Sequence, residues 1–495
     1  MNICIYKSIH LCRKSAYCLF TFITIMMVFD SGSCLLQAVL LLLVIISPRN
    51  EVSCGHIVET LPGFDGQLPF KLETGYIGVE GSEMFYYFIE SETNPKEDPL
   101  MLWFSGGPGC SAFNGLIYQI GPIAFNIADY DGGLPKLQHV EYSWTKTTSI
   151  LFVDSPVGTG FSYATDAADY YTSDSKWAAQ NYLFLKKWLI EHPQFLKVQL
   201  FIGADSYAGV PTPIIVQAVL DGNKAGDGPY LNIKGYVLGC PRTDEYINDN
   251  SKIKFCHRLG LISDELYEAA KKSCNGNYFH QEDSSNVECT ELVHLIHPLI
   301  EDINTYDILE PKCAWSLPDQ NGESNRRSLQ ESSGNFLLSP PKIPDFWCHN
   351  FNYALSYIWA NDFRVQKSLH VREGTIQEWK RCNNLQYTYD VTSVLGYHRN
   401  LTNTDLEALI YSGDHDLTVP HVGTQDWINL LNLTIDINWR PWFLNGEVAG
   451  YMIKYEENWF SLTYATIKGA GHSPQEYKRR ESFEMFQRWI HWYPL

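Results

Sequence analysis

Apolar positions in this chain fall in short blocks set between turn-forming residues. Five runs stand out, at 100–104, 150–153, 200–202, 408–411 and 464–467. Short runs without a polar face are what strands buried on both sides of a parallel sheet require. Residues 175–190 carry apolar side chains at helical spacing, Leu185, Trp188 and Leu189 among them. After Ser206, Pro213 is placed to start a further helix, because its fixed φ suits a first turn. The chain closes on an amphipathic helix through Phe483, Phe486, Trp489 and Ile490. Strands alternating with helices predict an α/β fold with a mostly parallel central sheet covered by helices.

From about 244 to 345 that rhythm breaks. The segment carries cysteines, is rich in loop-forming residues and reads as an inserted cap. Within it, 316–341 is crowded with Ser, Asn, Gly and Pro around Arg326-Arg327. That stretch is either a flexible insertion or a linker cut out at the basic pair, leaving two disulfide-held chains.

The first 54 residues read differently again. Lys7, Arg13 and Lys14 precede an apolar run at 16–29, and a second run follows at 35–47. Neither reaches the roughly 18 residues needed to span a bilayer. The second has the length of a signal-peptide core, with small residues near Val52, Ser53 and Cys54 offering a cleavage point. Residues 1–54 are therefore expected to be a cleaved secretory signal, with 55–495 forming the folded domain. The upstream run is then an extended start, with translation beginning at Met26 or Met27, or an anchor.

Composition narrows the classes. Of 495 residues, 45% are hydrophobic and 19% charged, as a globular protein with a large core requires. The formal charge of −19 argues against nucleic acid and against anionic membrane surfaces as partners. Of 13 cysteines, Cys4, Cys12, Cys18, Cys34 and Cys54 fall in the leader. The even set left (Cys110, Cys240, Cys256, Cys274, Cys289, Cys313, Cys348 and Cys382) suits an oxidising compartment. Neither a C-x-x-C nor an H-x-x-x-H spacing occurs, so disulfides are expected and a zinc site or other cofactor is not. Sequons at Asn400 and Asn432 fit the same compartment, and Asn94, followed by Pro95, carries none.

Three of the apolar runs end in residues that carry chemistry. Gly203-Ala204-Asp205-Ser206-Tyr207-Ala208-Gly209 follows the third, Gly413-Asp414-His415-Asp416 the fourth, and Gly469-Ala470-Gly471-His472 the fifth. A serine hydroxyl is weakly nucleophilic alone and needs a base to take its proton and an acid to orient that base. Ser, then Asp, then His is the chain order of the α/β-hydrolase fold, which places such groups where strands end. Ser206 is the expected nucleophile and His472 the base. For the acid, Asp414 and Asp416 compete. Asp416, four residues before Pro420, matches the acid loop of such hydrolases, whereas Asp414 is suited to bracing the turn. An oxyanion hole requires backbone N–H groups near the nucleophile, and Tyr207 and Gly107 of Gly106-Gly107-Pro108-Gly109 are expected to supply them.

These motifs, with WFSGGPGCSAFNGLIYQIGP from Trp103, DSPVGTGFSY from Asp154, YSGDHDLTVP and KGAGH, resemble the serine carboxypeptidases. The likeness runs from about His56 to the C-terminus. The phrases HVREGTIQEWKRC and NWRPWFLNGEVAGY are most similar to the plant serine carboxypeptidase-like acyltransferases. That resemblance implies transfer of a hydroxycinnamoyl, benzoyl or galloyl group from a 1-O-β-glucose ester, through the serine, to an acceptor alcohol. It implies no cofactor, and partners limited to a small-molecule acyl donor and acceptor. It also implies vacuolar or extracellular residence without stable membrane association, and disulfides Cys110–Cys382, Cys274–Cys289 and Cys313–Cys348, leaving Cys240 and Cys256 unassigned.

Departures from the peptidases lie at the substrate. Where that family binds a peptide's terminal carboxylate with Asn, Glu and Glu, this chain has Ser105, Gln119 and Asp205. A hydrogen bond to a charged group is worth about 1.5–3 kcal/mol, so losing one costs roughly tenfold or more. Ala204 also replaces a family glycine, and Cys240 stands where the plant relatives usually carry Asn. Acyl transfer is the preferred reading. Release of C-terminal residues from peptides and a non-catalytic helper role in a hetero-complex are the alternatives.

Overall fold

The computed structural model describes residues 55–278, 285–312 and 349–495. The expected signal, Cys313, Cys348 and the 316–341 linker lie outside these residues. Residues 56–495 form one compact unit.

The expected strands are all present, several of them longer than the apolar runs. Six lie side by side and parallel in the order Ser149–Val153, Leu100–Phe104, Leu200–Asp205, Ile233–Gly239, Glu407–Gly413 and Phe460–Ile467. Antiparallel strands extend the sheet on both flanks, Leu72–Val79 and Ser82–Ile89 on one side and Glu447–Glu457 and Thr434–Leu444 on the other. This mixed sheet flanked by helices is an α/β-hydrolase fold.

Side chains that alternate along each central strand feed two separate cores. Met101, Trp103, Phe152, Phe201, Leu409 and Tyr411 enter one, which is closed by the helix Arg479–Ile490. There Trp144 and Phe486 stack with ring centroids 3.9 Å apart. Leu102, Phe104, Leu151, Ile202 and Ile410 enter the other, covered by the helices Asp174–Glu191 and Pro211–Ala225. Burial at roughly 25 cal/mol per Å² of apolar surface makes these two layers the main support of the sheet.

Two expectations need correction. The helix after the serine starts at Pro211 rather than Pro213, because a 3-10 turn at Ser206–Gly209 leads into it two residues earlier. Among its described residues, the segment expected to be loop-rich holds three helices, Glu245–Arg258, Asp264–Ser273 and Val287–Ile300. Side chains of Asp244, Ser263 and Asn286 cap them by accepting from Ile247, Leu266 and Cys289 amides. Disulfide Cys274–Cys289 ties the last two helices together.

Candidate active site

Register brings the three motifs to one edge of the sheet. Asp205 pairs with Gly239, Gly239 with Tyr411, and Gly413 with Ile467. The chain therefore leaves four neighbouring strands together, at Ser206, Cys240, Asp414 and Lys468. Side chains 56 to 266 residues apart in sequence meet there because parallel strands end on the same edge.

Ser206 sits at φ 57°, a left-handed backbone rarely adopted by residues with a side chain. That conformation lifts its hydroxyl clear of the sheet, half-exposed. Small neighbours make the turn possible, since a Cβ on Gly209 would lie 2.6 Å from Pro241 Cβ. His472 Nε2 is 2.7 Å from Ser206 Oγ, and His472 Nδ1 is 2.7 Å from Asp416 Oδ2. Asp416 is fully buried, and its Oδ1 accepts from the amides of Thr418 at 2.7 Å and Val419 at 3.0 Å. Asp414 points elsewhere, accepting from the Gly469 amide at 2.7 Å. The cap segment braces both loops: Thr305 O accepts from Leu417 and Thr418 amides, and Tyr306 O from the His472 amide at 2.6 Å.

Burial alone would lower the pKa of His472. The charge and hydrogen bond of Asp416, with Asp205 and Glu476 behind it, outweigh that and hold the imidazole above its ordinary 6.5. Desolvation raises the carboxyls of Asp205 and Glu476.

Gly106 meets the serine turn closely. A Cβ on Gly106 would stand 2.7 Å from both Ser206 Cβ and the Tyr207 amide nitrogen. Gly107 has φ +116°, which only glycine adopts without strain. Disulfide Cys110–Cys382 pins this turn from outside, assisted by the Asn383 amide donating to Gly109 O at 2.8 Å. The ring of Tyr207 is anchored through its hydroxyl, which donates to Asp174 at 2.8 Å.

The three altered positions cluster beside the serine, all buried. Gln119 Nε2 donates to Asp205 Oδ2 at 2.7 Å, and Ser473 Oγ donates to the same oxygen at 2.6 Å. The Gly106 amide donates to Asp205 Oδ1 at 3.3 Å. Ser105 Oγ and Gln119 Oε1 have no hydrogen-bond partner among the described residues. Sequence reasoning missed Ser473 and Glu476, which complete this network. Glu476 Oε1 lies 3.3 Å from Gln119 Nε2, and its Oε2 accepts from Tyr353 at 2.8 Å. Their adjacency to His472 in the chain was the available signal. Cys240 and Cys256 are buried free thiols, and Asn400 and Asn432 are exposed.

The serine carboxypeptidase family model matches residues 62–492. Serine carboxypeptidase-like 7 of Arabidopsis thaliana is 43% identical over 458 residues, 92% of this chain and 97% of that protein. Serine carboxypeptidase-like 11 of the same plant is 43% identical over 461 residues, 92% of this chain and 99% of that protein. Among solved structures, Kex1(delta)p, a prohormone-processing carboxypeptidase from Saccharomyces cerevisiae, superposes with a TM-score of 0.66 at 21% identity. That match covers 85% of this chain and 91% of the yeast chain, and shows the shared fold. From its motifs, its fold and these matches, the chain belongs to the serine carboxypeptidase family.

Proposed function

We propose that this protein is an acyltransferase that moves an acyl group from a 1-O-β-glucose ester to an acceptor alcohol through an ester on Ser206. One observation carries the choice over peptide hydrolysis. The donor end of Gln119 is spent on Asp205, so what remains unpaired among the buried groups beside the nucleophile is an acceptor, Gln119 Oε1, and a neutral hydroxyl, Ser105 Oγ. A peptide carboxylate needs donors there, and the Asn and Glu that supply them in the peptidases are replaced here by Ser105 and Gln119. A sugar or alcohol hydroxyl brings its own proton and satisfies such a pair.

The steps follow from the row of hydrogen bonds. His472 Nε2 takes the Ser206 proton as Oγ attacks the ester carbonyl, and Asp416 steadies the imidazolium. Amides of Gly107 and Tyr207 receive the oxyanion, a contribution of about 3–4 kcal/mol per donor removed in comparable sites. The glucose oxygen leaves with the proton from His472. An acceptor hydroxyl then gives its proton to His472 and attacks, releasing the new ester and free Ser206. Water competes at about 55 M, so the acceptor must be held and water kept out. The helices at 245–300, bonded through Thr305 and Tyr306 to the acid and base loops, are suited to that closure. The disulfides and the exposed sequon asparagines support passage through the secretory pathway to the vacuole or cell exterior.

The test is a panel of phenolic acylglucoses with and without alcohols, run beside blocked dipeptides. The proposal expects ester formation that requires both partners and disappears in Ser206→Ala, with negligible release of C-terminal residues. Peptide turnover without transfer to any alcohol would assign the protein as a carboxypeptidase instead.

A further inference from the structure

Cys240 follows the strand that lies between the serine strand and the aspartate strand, and its thiol is wholly buried behind the acid. Its backbone is held at φ 41°, with the Cys240 amide donating to Tyr411 O at 2.7 Å, so the side chain has a fixed direction. That direction brings a ligand atom each of Cys240, Asp416 and His472 within 4.8 Å of one another. A backbone amide also points at the sulfur, that of Gly413 at 3.4 Å. Amides aimed at sulfur are what a metal-bound thiolate accepts, and they are as much a part of a metal site as its ligands.

We propose that Cys240, Asp416 and His472 form a site for a soft divalent ion of the Zn²⁺ or Cd²⁺ type, and that the bound ion reversibly disables Ser206. Thiolate, imidazole and carboxylate together select zinc-like ions over Mg²⁺ and Ca²⁺. Bonds of about 2.3 Å to sulfur and 2.0–2.2 Å to nitrogen and oxygen set neighbouring ligand atoms roughly 3.3–3.7 Å apart. The present separations, from 2.7 Å between His472 Nδ1 and Asp416 Oδ2 up to 4.8 Å, bracket that range. The ion forms bonds to Sγ, Nδ1 and one carboxylate oxygen. The S–H bond breaks and its proton goes to solvent, while the proton on His472 Nδ1 passes to Nε2. No electron changes hands. The imidazole then presents N–H to Ser206 Oγ and cannot take its proton, so nucleophilic activation stops. The loss of activity, though not the binding, rests on the reading of Ser206 as nucleophile.

Binding is read without activity. The full-length, chelator-treated protein is titrated with Co²⁺, following thiolate-to-cobalt charge-transfer absorption. One equivalent should develop the band in the parent and in Cys256→Ser, and none in Cys240→Ala or Cys240→Ser. In parallel, a fluorophosphonate probe reports Ser206. Zn²⁺ at ten times its dissociation constant should cut labelling about tenfold, with recovery on chelation. Cys240→Ala should label equally with and without Zn²⁺. A charge-transfer band that survives Cys240→Ala and Cys240→Ser, or no band in the parent, overturns the site. A band in the parent with labelling unaffected by Zn²⁺ keeps the binding and overturns the inhibition.

Discussion

Gly106 faces Ser206 so closely that a methyl group on Gly106 would stand 2.7 Å from the serine Cβ. It would meet the Tyr207 amide at the same distance. The close approach sets the Gly106-Gly107 turn against the serine turn, and the proposed oxyanion hole takes one amide from each. Gly106→Ala must push them apart. It is expected to lower fluorophosphonate labelling of Ser206 by about 100-fold or more, the usual effect of losing an oxyanion donor. Overpacking should cost about 1–3 kcal/mol in stability, read by urea unfolding. Labelling at the parent rate would mean the two turns do not jointly form the hole.

The two aspartates of Gly413-Asp414-His415-Asp416 should separate by kinetics. Asp416→Asn removes the acceptor for His472 Nδ1 and is expected to lower kcat by about 10⁴. Asp414→Asn weakens one contact to the Gly469 amide, about 1 kcal/mol, and should leave kcat within roughly tenfold. The pH profile adds a second readout. Because Asp416 holds the His472 pKa above 6.5, kcat/KM of the parent should rise with pH through a midpoint above 6.5. In Asp416→Asn that midpoint should move down. Equal kinetic losses, or an upward shift, would reverse the assignment of the acid.

Much of this site was legible because the motifs are local. Each lies within a few residues of a strand end, and the chain order Ser206, Asp416, His472 is preserved under any folding of the intervening sequence. What escaped depended on contacts between elements. The strand at Ile233–Gly239 was not read from the apolar pattern, and with it went the position of Cys240 between the serine and the acid. Ser473 and Glu476 acquire meaning only when His472 is placed beside Asp205. The hairpin Thr434–Leu444 and Glu447–Glu457 also went unread, although it turns at Asn445-Gly446, both at positive φ, a two-residue turn signal. Its strand is largely exposed, so no apolar run marked it.

A buried histidine away from the site should set the acid limit of stability. His398 is fully buried, with Nδ1 3.0 Å from the Tyr236 hydroxyl, and stacks on Trp427. Burial pushes its pKa down to about 3. The unfolded chain therefore binds a proton below about 6.5 that the folded chain refuses until about 3, and stability falls as pH drops through that window. Between pH 7 and pH 5 the loss from this residue is about 2 kcal/mol. His398→Phe keeps a ring against Trp427 and removes the titration. Its unfolding free energy should fall by about 2 kcal/mol less than the parent's over the same interval, whatever its stability at pH 7. An identical decline in both proteins would show that His398 is not a controlling group.

The partition of the acyl group on Ser206 decides between transfer and hydrolysis. Protein is mixed in a single turnover with a radiolabelled acylglucose, then chased at one pH with buffer alone or with buffer containing an acceptor alcohol at millimolar concentration. For a transferase, label should leave Ser206 slowly in buffer, as free acid. It should leave at least about tenfold faster with the acceptor, appearing as the new ester although water is near 55 M. Rapid release as free acid at a rate the alcohol does not change would contradict transfer, and would make the protein a hydrolase.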